Sequence, residues 1–172
     1  MAADGPVSAK LPFDPVQEAE RHWVDNGWEE AAAGMSAVTS VMRAQQIFLG
    51  RVDDALKEFG LTFARYEALM LLAFSRAGAL PLGKIGERLQ VHAASVTNAI
   101  DRLEAAGLVE RRPNPADGRG SLATITDLGR QIAHKATEKI NADVFESLGL
   151  SAAELQQLVG LLRHLRQSAG DF

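Results

Sequence analysis

The sequence has no cysteine among its 172 residues. This excludes disulfides, thiolate metal ligands, cysteine nucleophiles and thiol-based redox sensing. No apolar run approaches the roughly 18 residues that a membrane-spanning helix needs. Residues 1–10 lack a basic segment followed by an apolar one, so we expect no secretory signal and a cytoplasmic protein. Hydrophobic residues make up 47% and charged residues 23%, which is typical of one globular domain with appended helices.

The chain also lacks the overall positive charge that is common among nucleic-acid-binding proteins, since its net charge is −4 at pH 7. The charge is unevenly distributed. Residues 1–31 carry two basic and seven acidic side chains, so the rest of the chain is close to neutral. Three arginines, Arg111, Arg112 and Arg119, cluster in one short stretch. This distribution is compatible with a modest basic surface on an acidic protein.

Hydrophobic periodicity divides the chain into segments. We expect residues 1–13 to form a flexible tail and residues 14–34 an acidic N-terminal extension helix. Apolar side chains recur every three or four residues in 35–60 and in 127–168, which predicts long amphipathic helices. Their apolar surface exceeds what the small module between them, residues 61–126, can cover. We therefore predict that 35–60 and 127–168 are dimerisation helices.

Within residues 61–126 the elements are short. A brief edge strand at 80–82 precedes two short helices, 85–89 and 93–106, which a tight turn joins as in a helix-turn-helix. Strand-like segments at 108–112 and 121–125 flank a loop rich in turn residues and predict a hairpin. The predicted fold class is therefore mainly α with a small β-wing, a winged helix-turn-helix with flanking N- and C-terminal dimerisation helices.

Local sequence signals also predict where helices begin. Asp14 is expected to cap the first helix, and Thr62 to cap the first helix of the central module. Ser151 and Glu154 have the spacing of a capping box, which predicts the start of the last helix. The preceding helix is predicted to bury a stripe that begins at Leu128 and runs for about twenty residues.

The helix at 93–106 is predicted to be amphipathic, with Val96, Ile100 and Leu103 facing the core. Its opposite face carries short or planar polar groups that suit the edges of DNA bases, namely Ser95, Thr97, Asn98 and Arg102. The alternative is an ordinary solvated polar surface. At the hairpin tip, Asp117 can hold Arg119 in position to enter a DNA minor groove. The alternative there is a simple Asp-Gly turn with a solvated arginine.

Two stretches, LQVHAASVTNAIDRLEAAGLVER at 89–111 and DGRGSLATITDLG at 117–129, resemble the MarR family of bacterial transcriptional regulators. The second stretch matches the family's D-x-R, followed by Leu, Ile, Thr and Gly at the family's spacing. The resemblance covers about residues 35–168. It implies a homodimer that binds a pseudo-palindromic operator in double-stranded DNA and is released by a small ligand. We expect repression, although nothing in the sequence separates it from activation.

The resemblance also implies residue roles. The helix from Ala93 would lie in the major groove and Arg119 in the minor groove, with Asp117 orienting it. The predicted DNA-binding set is Ser95, Thr97, Asn98, Arg102, Arg111, Arg112, Asp117 and Arg119. Some relatives that respond to urate or phenolic compounds have an extra N-terminal helix with a Trp and an acid where this chain has Glu67. By that likeness, a phenolic or purine-like effector would contact Trp23, Trp28 and Glu67. Arg43 and Arg65 are further candidates, for binding a small anion near the same hinge. The alternative for the two tryptophans is hydrophobic docking of the extension.

No feature of the sequence predicts an enzyme. Residues 78–84 spell a P-loop, but the segment follows a helix, contains Pro81 and lacks the terminal Ser or Thr. The four histidines have no metal-ligand spacing, so we expect neither a metal site nor a cofactor. The competing hypothesis is a winged-helix module that binds proteins or ligands and has no affinity for DNA.

Overall fold

The computed structural model describes residues 11–114 and 120–172. The elements it contains are α1 (Pro15–Asp25), α2 (Glu29–Leu56), α3 (Phe63–Phe74), β1 (Ala79–Pro81), α4 (Leu82–Leu89), α5 (Ala93–Ala105), β2 (Val109–Pro113), β3 (Ser121–Ile125), α6 (Asp127–Asp143) and α7 (Ala152–Ser168). Short 3₁₀ turns follow α2 at Lys57–Phe59 and α6 at Phe145–Ser147. The chain forms two compact units, 1–50 and 51–172, and α2 runs across their boundary.

In the first unit, Asp14 caps α1 as the sequence predicts, because its carboxylate accepts a hydrogen bond from the amide of Val16 at 2.9 Å. The long helix α2 begins at Glu29, earlier than the predicted start near residue 35. Two glutamates in the first turn interact favourably with the positive end of the helix dipole, and the alanines that follow are strong helix formers. These local preferences extend the helix beyond its apolar stripe.

The second unit contains the predicted winged helix-turn-helix. Strands β2 and β3 form an antiparallel hairpin, and β1 pairs with the other side of β3, so the sheet order is β1-β3-β2. The edge position of β1 accommodates Pro81, which has no amide hydrogen to donate. Helices α3, α4 and α5 pack together over a core that includes the fully buried Leu72, Ile85 and Ile100. The predicted fold class is confirmed.

Helix α6 differs from its predicted form at both ends of its buried stripe. Leu128, expected to face the core, is 49% exposed, whereas Ala136 and Ile140 of the predicted stripe are buried together with Gly129 and Ala133. The helix ends at Asp143, where the Arg51 guanidinium donates to the Asp143 carbonyl at 2.9 Å and to the Ser147 hydroxyl at 2.7 Å. A cation placed there satisfies carbonyls that the end of a helix leaves unpaired.

The caps at the other helix starts gave one confirmation and one correction. Ser151 and Glu154 form the predicted capping box at α7. Thr62 occupies the predicted cap position of α3, but its side chain does not bond the helix amides. The amide of Phe63 instead donates to the Asp53 carboxylate at 2.8 Å. Asp53 comes from the last turn of α2, so a contact between helices replaces the expected local cap.

Helix α7 and part of α2 leave several large apolar side chains exposed to solvent. Helix α7 buries none of its residues and exposes Leu158, Val159, Leu161 and Leu165. The part of α2 in the first unit exposes Val38, Val41, Met42, Ile47, Phe48 and Leu49. Among residues 11–114 and 120–172, no helix is long and apolar enough to cross a membrane.

Gly129 marks a close approach of α6 to the segment before β2 and to β3. A Cβ atom at this position would lie 2.1 Å from the carbonyl oxygen of Leu108 and 2.9 Å from Cγ1 of Ile125. The Leu108 carbonyl is part of the backbone and accepts the amide of Thr126 at 3.0 Å, so it cannot move away freely. A side chain of any size would therefore force α6 away from β2 and β3.

We predict that Gly129→Ala lowers the free energy of unfolding by about 1 to 3 kcal/mol, as overpacking in a close-packed interior does. The matched control is Gly83→Ala in α4, where nothing lies within 4 Å of the added Cβ. The control should be neutral or slightly stabilising, because alanine favours helix over glycine. Chemical denaturation of both variants measures the difference, and equal stabilities would contradict the assignment of Gly129 as a packing constraint.

Candidate nucleic-acid interface

The outward face of α5 is entirely polar or small in the structure. Val96, Ile100 and Leu103 are at most 3% exposed and pack into the core. The predicted contact residues Ser95, Thr97, Asn98 and Arg102 are all exposed on the other side of the helix. The amphipathic pattern of the sequence therefore places these four side chains together on one accessible surface.

Two shallow grooves lie along this surface. A shallow groove of 560 Å³ follows the exposed side of α5, and its lining includes Thr97, Asn98, Asp101 and Arg102. A second groove of 540 Å³ separates α5 from the start of α3, and Asn98 and Arg102 line this groove as well. The two side chains thus stand on the ridge between the grooves, where each can reach a ligand on either side.

Helix α5 begins at His92, whose Nδ1 accepts the amide of Ala94 at 3.3 Å. Gln90, in the turn before it, has a left-handed backbone with φ 52°, which reverses the chain between α4 and α5. The turn brings the start of α5 next to α4, as a helix-turn-helix requires.

Arg111 joins the wing to α5. The guanidinium of this β2 residue forms an ion pair with Asp101 and donates to the Thr97 carbonyl at 3.2 Å. Its Nε lies 3.6 Å from a carboxylate oxygen of Glu104, and its backbone amide donates to the other oxygen at 3.1 Å. The prediction that Arg111 contacts DNA is untested. The structure shows that its charge is already shared with two acidic side chains of α5.

Of the other predicted wing residues, the structure describes only Arg112. Arg112 points from β2 as an exposed side chain and pairs with Glu110 at 2.8 Å. Because an exposed pair of this kind is held weakly, Arg112 can exchange Glu110 for another anion. Asp117 and Arg119 lie outside the described residues, so their predicted role in the minor groove stays a prediction.

The five predicted effector residues are divided between the two compact units. Trp23, Trp28 and Arg43 belong to the first unit, where the two indole rings meet edge to face at a centroid distance of 5.5 Å. Arg65 and Glu67 belong to the second unit, on α3. Glu67 is partly buried, and this burial raises the pKa of its carboxyl above the usual value. A common site formed by all five residues stays a prediction.

Sequence analysis missed the placement of Arg65. Its side chain lines the groove beside α5, and its Nε donates to the Thr62 hydroxyl at 3.1 Å. Part of this arrangement could have been predicted from the sequence, because the i, i+3 spacing of Thr62 and Arg65 permits the hydrogen bond. The groove itself requires α3 to pack against α5, which no local pattern specifies.

Among residues 11–114 and 120–172, no group of three or more His, Asp or Glu side chains has the geometry to hold a metal ion.

Comparison with known proteins identifies the fold and the function class. A sequence profile of the MarR family matches residues 59–120. The HTH-type transcriptional regulator SarZ of Staphylococcus epidermidis is 30% identical over 109 residues, which is 63% of this chain and 72% of SarZ. The crystal structure of Sco5413, a MarR family transcriptional regulator from Streptomyces coelicolor, is 55% identical, with a TM-score of 0.76 over 81% of this chain and 97% of that chain. The chain belongs to the MarR family.

The family resemblance drawn from 89–111 and 117–129 is therefore confirmed, and the protein is a DNA-binding transcriptional regulator rather than an enzyme. A third similar structure is a mutant of Escherichia coli MarR in complex with operator DNA. It is 26% identical, with a TM-score of 0.68 over 74% of this chain and 91% of that chain. The profile match, residues 59–120, includes α3 and α5, whose residues line the two grooves.

Proposed function

We propose that this MarR family regulator binds a pseudo-palindromic operator as a homodimer, with α5 of each subunit in the major groove, and that a small aromatic or anionic ligand releases it. The observation that carries the DNA-binding geometry is the exposed polar face of α5 opposite its buried apolar face. The solved complex of the similar E. coli MarR with operator DNA supports duplex DNA as the partner.

The side chains on this face have complementary recognition chemistry. Asn98 carries a carboxamide that can form two hydrogen bonds with adenine, and Arg102 can bind guanine or a phosphate. The hydroxyls of Ser95 and Thr97 can each donate or accept one hydrogen bond. We assign base recognition to Asn98 and phosphate positioning to Ser95, because Ser95 lies in the first turn of α5.

The wing has two roles in this proposal. Arg111 positions α5 through Asp101 and Glu104, and it compensates acidic charges that would otherwise face the DNA backbone. Arg112 contacts the backbone, and Arg119 enters the minor groove with Asp117 as its orienting partner, as the family resemblance implies. The wing would thus contribute mainly to affinity and shape recognition, while α5 recognises sequence.

The homodimer rests on the apolar side chains that α7 and α2 leave exposed. Leu161 is 72% exposed and Val159 63% exposed, and both lie on a helix that has no buried residue in the single chain. Contact with a second copy would remove this surface from water, which stabilises the pair in proportion to the apolar area buried. A dimer also explains why the operator would be pseudo-palindromic, since each subunit presents one α5.

Effector release is supported by features that the DNA-binding role leaves unexplained. The Trp23 and Trp28 pair offers an aromatic surface, and Trp28 remains 54% exposed. Glu67 is a desolvated carboxyl on α3 whose pKa is raised. A ligand that binds one spacing of the two α5 helices more tightly than the other shifts the dimer toward that spacing.

Substitutions that remove base recognition by α5 and those that remove minor-groove binding by the wing should have different effects on DNA affinity. We predict that Asn98→Ala reduces discrimination at one half-site base by about 1 to 3 kcal/mol and leaves affinity for random DNA nearly unchanged. Arg119→Ala should weaken binding to all sequences by about 1 to 3 kcal/mol and make the salt dependence shallower. Binding of both variants to selected and random duplexes at two salt concentrations separates the effects.

The same titration tests the competing hypothesis of a winged module without DNA binding. If the wild-type chain shows no steep loss of duplex binding with salt, the DNA-binding proposal fails. If Asn98→Ala leaves discrimination unchanged, α5 does not recognise bases through this side chain.

Dimerisation is predicted to depend on the exposed face of α7. The wild-type protein should have twice the mass of the chain in light scattering at micromolar concentration, with an interface larger than the roughly 1,600 Å² of a standard complex. Leu161→Glu should shift it toward monomer, because a buried unpaired carboxylate is costly. The control Phe74→Glu changes an even more exposed apolar residue on α3 and should leave the dimer intact. A folded wild-type monomer would refute the homodimer.

For the effector, we predict that a phenolic or purine-like compound raises the melting temperature and releases operator DNA. Trp28→Ala should weaken both responses without changing operator affinity in the absence of ligand. If a broad panel of such compounds produces neither stabilisation nor release, the protein is a constitutive regulator.

A further inference from the structure

The groove between α3 and α5 holds two arginines and no acidic side chain. Arg65 and Thr62 line it from the first turn of α3, and Ser95, Asn98 and Arg102 line it from α5. The neighbouring groove along α5 contains Asp101, so the two grooves differ in charge. Among the described residues, this groove therefore combines positive charge with hydroxyl and amide donors.

The Arg65 guanidinium forms one hydrogen bond within the described part of the chain, through its Nε. Its Nε donates to the Thr62 hydroxyl at 3.1 Å, and no described residue accepts a hydrogen bond from its two terminal nitrogens. The Arg102 side chain, which also lines this groove, forms no ion pair or hydrogen bond within the described part of the chain. The anchoring reduces the conformational freedom that Arg65 would lose on binding a ligand, while its terminal nitrogens remain available.

Hydrogen bonds at the start of α3 hold the residues that contact Arg65. The Asp53 carboxylate accepts the amide of Phe63, which takes up a donor at this helix end and leaves Thr62 free to accept from Arg65. One amide at the start of α3 is thus already bonded to a carboxylate of the chain itself. The formal positive charge in the groove is carried by the two guanidinium groups.

An anion in this groove would be bound by an open surface. Guanidinium groups match the oxygens of a phosphate, and the hydroxyl and amide donors add further hydrogen bonds. The groove is shallow and adjoins the base-reading face through Asn98 and Arg102, which line both surfaces. A strand whose bases face α5 would carry its backbone across this groove.

We propose that the groove between α3 and α5 binds a DNA backbone phosphate, with Arg65 as its principal cation and Arg102 as the second. This rests on the proposed operator binding and deepens it, because it adds α3 to the DNA interface. It also moves Arg65 from the predicted effector set to the DNA-contacting set. A phosphate contact fixes the register of α5 on the duplex and carries no sequence information.

The test is Arg65→Gln, which removes the charge and keeps a polar side chain. We expect affinity for operator and random duplexes to fall by the same factor, about tenfold for each subunit, as for loss of a charge-assisted hydrogen bond. The slope of log affinity against log salt should become shallower by about 0.9 for each subunit. Sequence preference should remain unchanged.

Two further variants make the result specific. Arg65→Lys keeps the charge and should retain the salt slope, which separates phosphate binding from a structural role of the side chain. Lys135→Gln removes one charge from the exposed surface of α6, away from both grooves, and should leave binding nearly unchanged. Thermal unfolding of all three variants checks that the fold is retained.

Each outcome decides between the alternatives. Unchanged duplex affinity and salt slope in Arg65→Gln would overturn the phosphate site, as would a loss confined to the operator. If Arg65→Gln binds DNA normally but responds less to an effector, Arg65 belongs to the ligand site. If the wild-type chain binds no duplex, the proposed function itself fails, whereas a defect only in Arg65→Gln leaves that function intact.

Discussion

Burial of one face of α5 determines which of its side chains are available for recognition. Val96, Ile100 and Leu103 are almost completely removed from water, so rotation of the helix about its axis would expose apolar surface and bury polar groups. Ser95, Thr97, Asn98 and Arg102 are consequently held outward. The packing of α3 against this helix then forms the groove between them. The interface thus depends on the core more directly than on any hydrogen bond within the recognition surface.

Electrostatics explain how an acidic chain can present a surface for a polyanion. The net charge of −4 includes every side chain of the protein. The electrostatic field at a binding surface depends instead on which nearby charges are paired with each other. Arg111 compensates Asp101 and Glu104 on α5, while Arg65 and Arg102 have no acidic partner among the described residues. With a Debye length of about 8 Å at physiological salt, acidic groups beyond the interface are largely screened. A few uncompensated arginines can therefore dominate the local field.

The parts of the fold that follow from local sequence were predictable. Helix starts at Asp14 and Ser151 depend on side chains within three residues, and the amphipathic faces of α5 depend on a period of 3.6 residues. Contacts between distant residues were not predictable in this way. Asp53 replaces Thr62 as the cap of α3, and Arg111 pairs with a residue ten positions earlier, because packing brings separate elements together. The charge of a groove is likewise set by which elements meet. This explains why the polar face of α5 was predicted from sequence and the groove between α3 and α5 was not.

The core also limits how a signal can reach the DNA interface. Leu56 from the last turn of α2, Ile100 from α5 and Ile140 from α6 are all fully buried in one continuous cluster. A close-packed interior resists internal rearrangement, because sliding one helix past another would open voids or create overlaps. Helix α5, the last turn of α2 and helix α6 therefore move together. In the proposed dimer, a ligand would change the distance between two rigid α5 helices more easily than the conformation of either one. Sensitivity of operator binding to the ligand then depends on how steeply affinity falls with that distance.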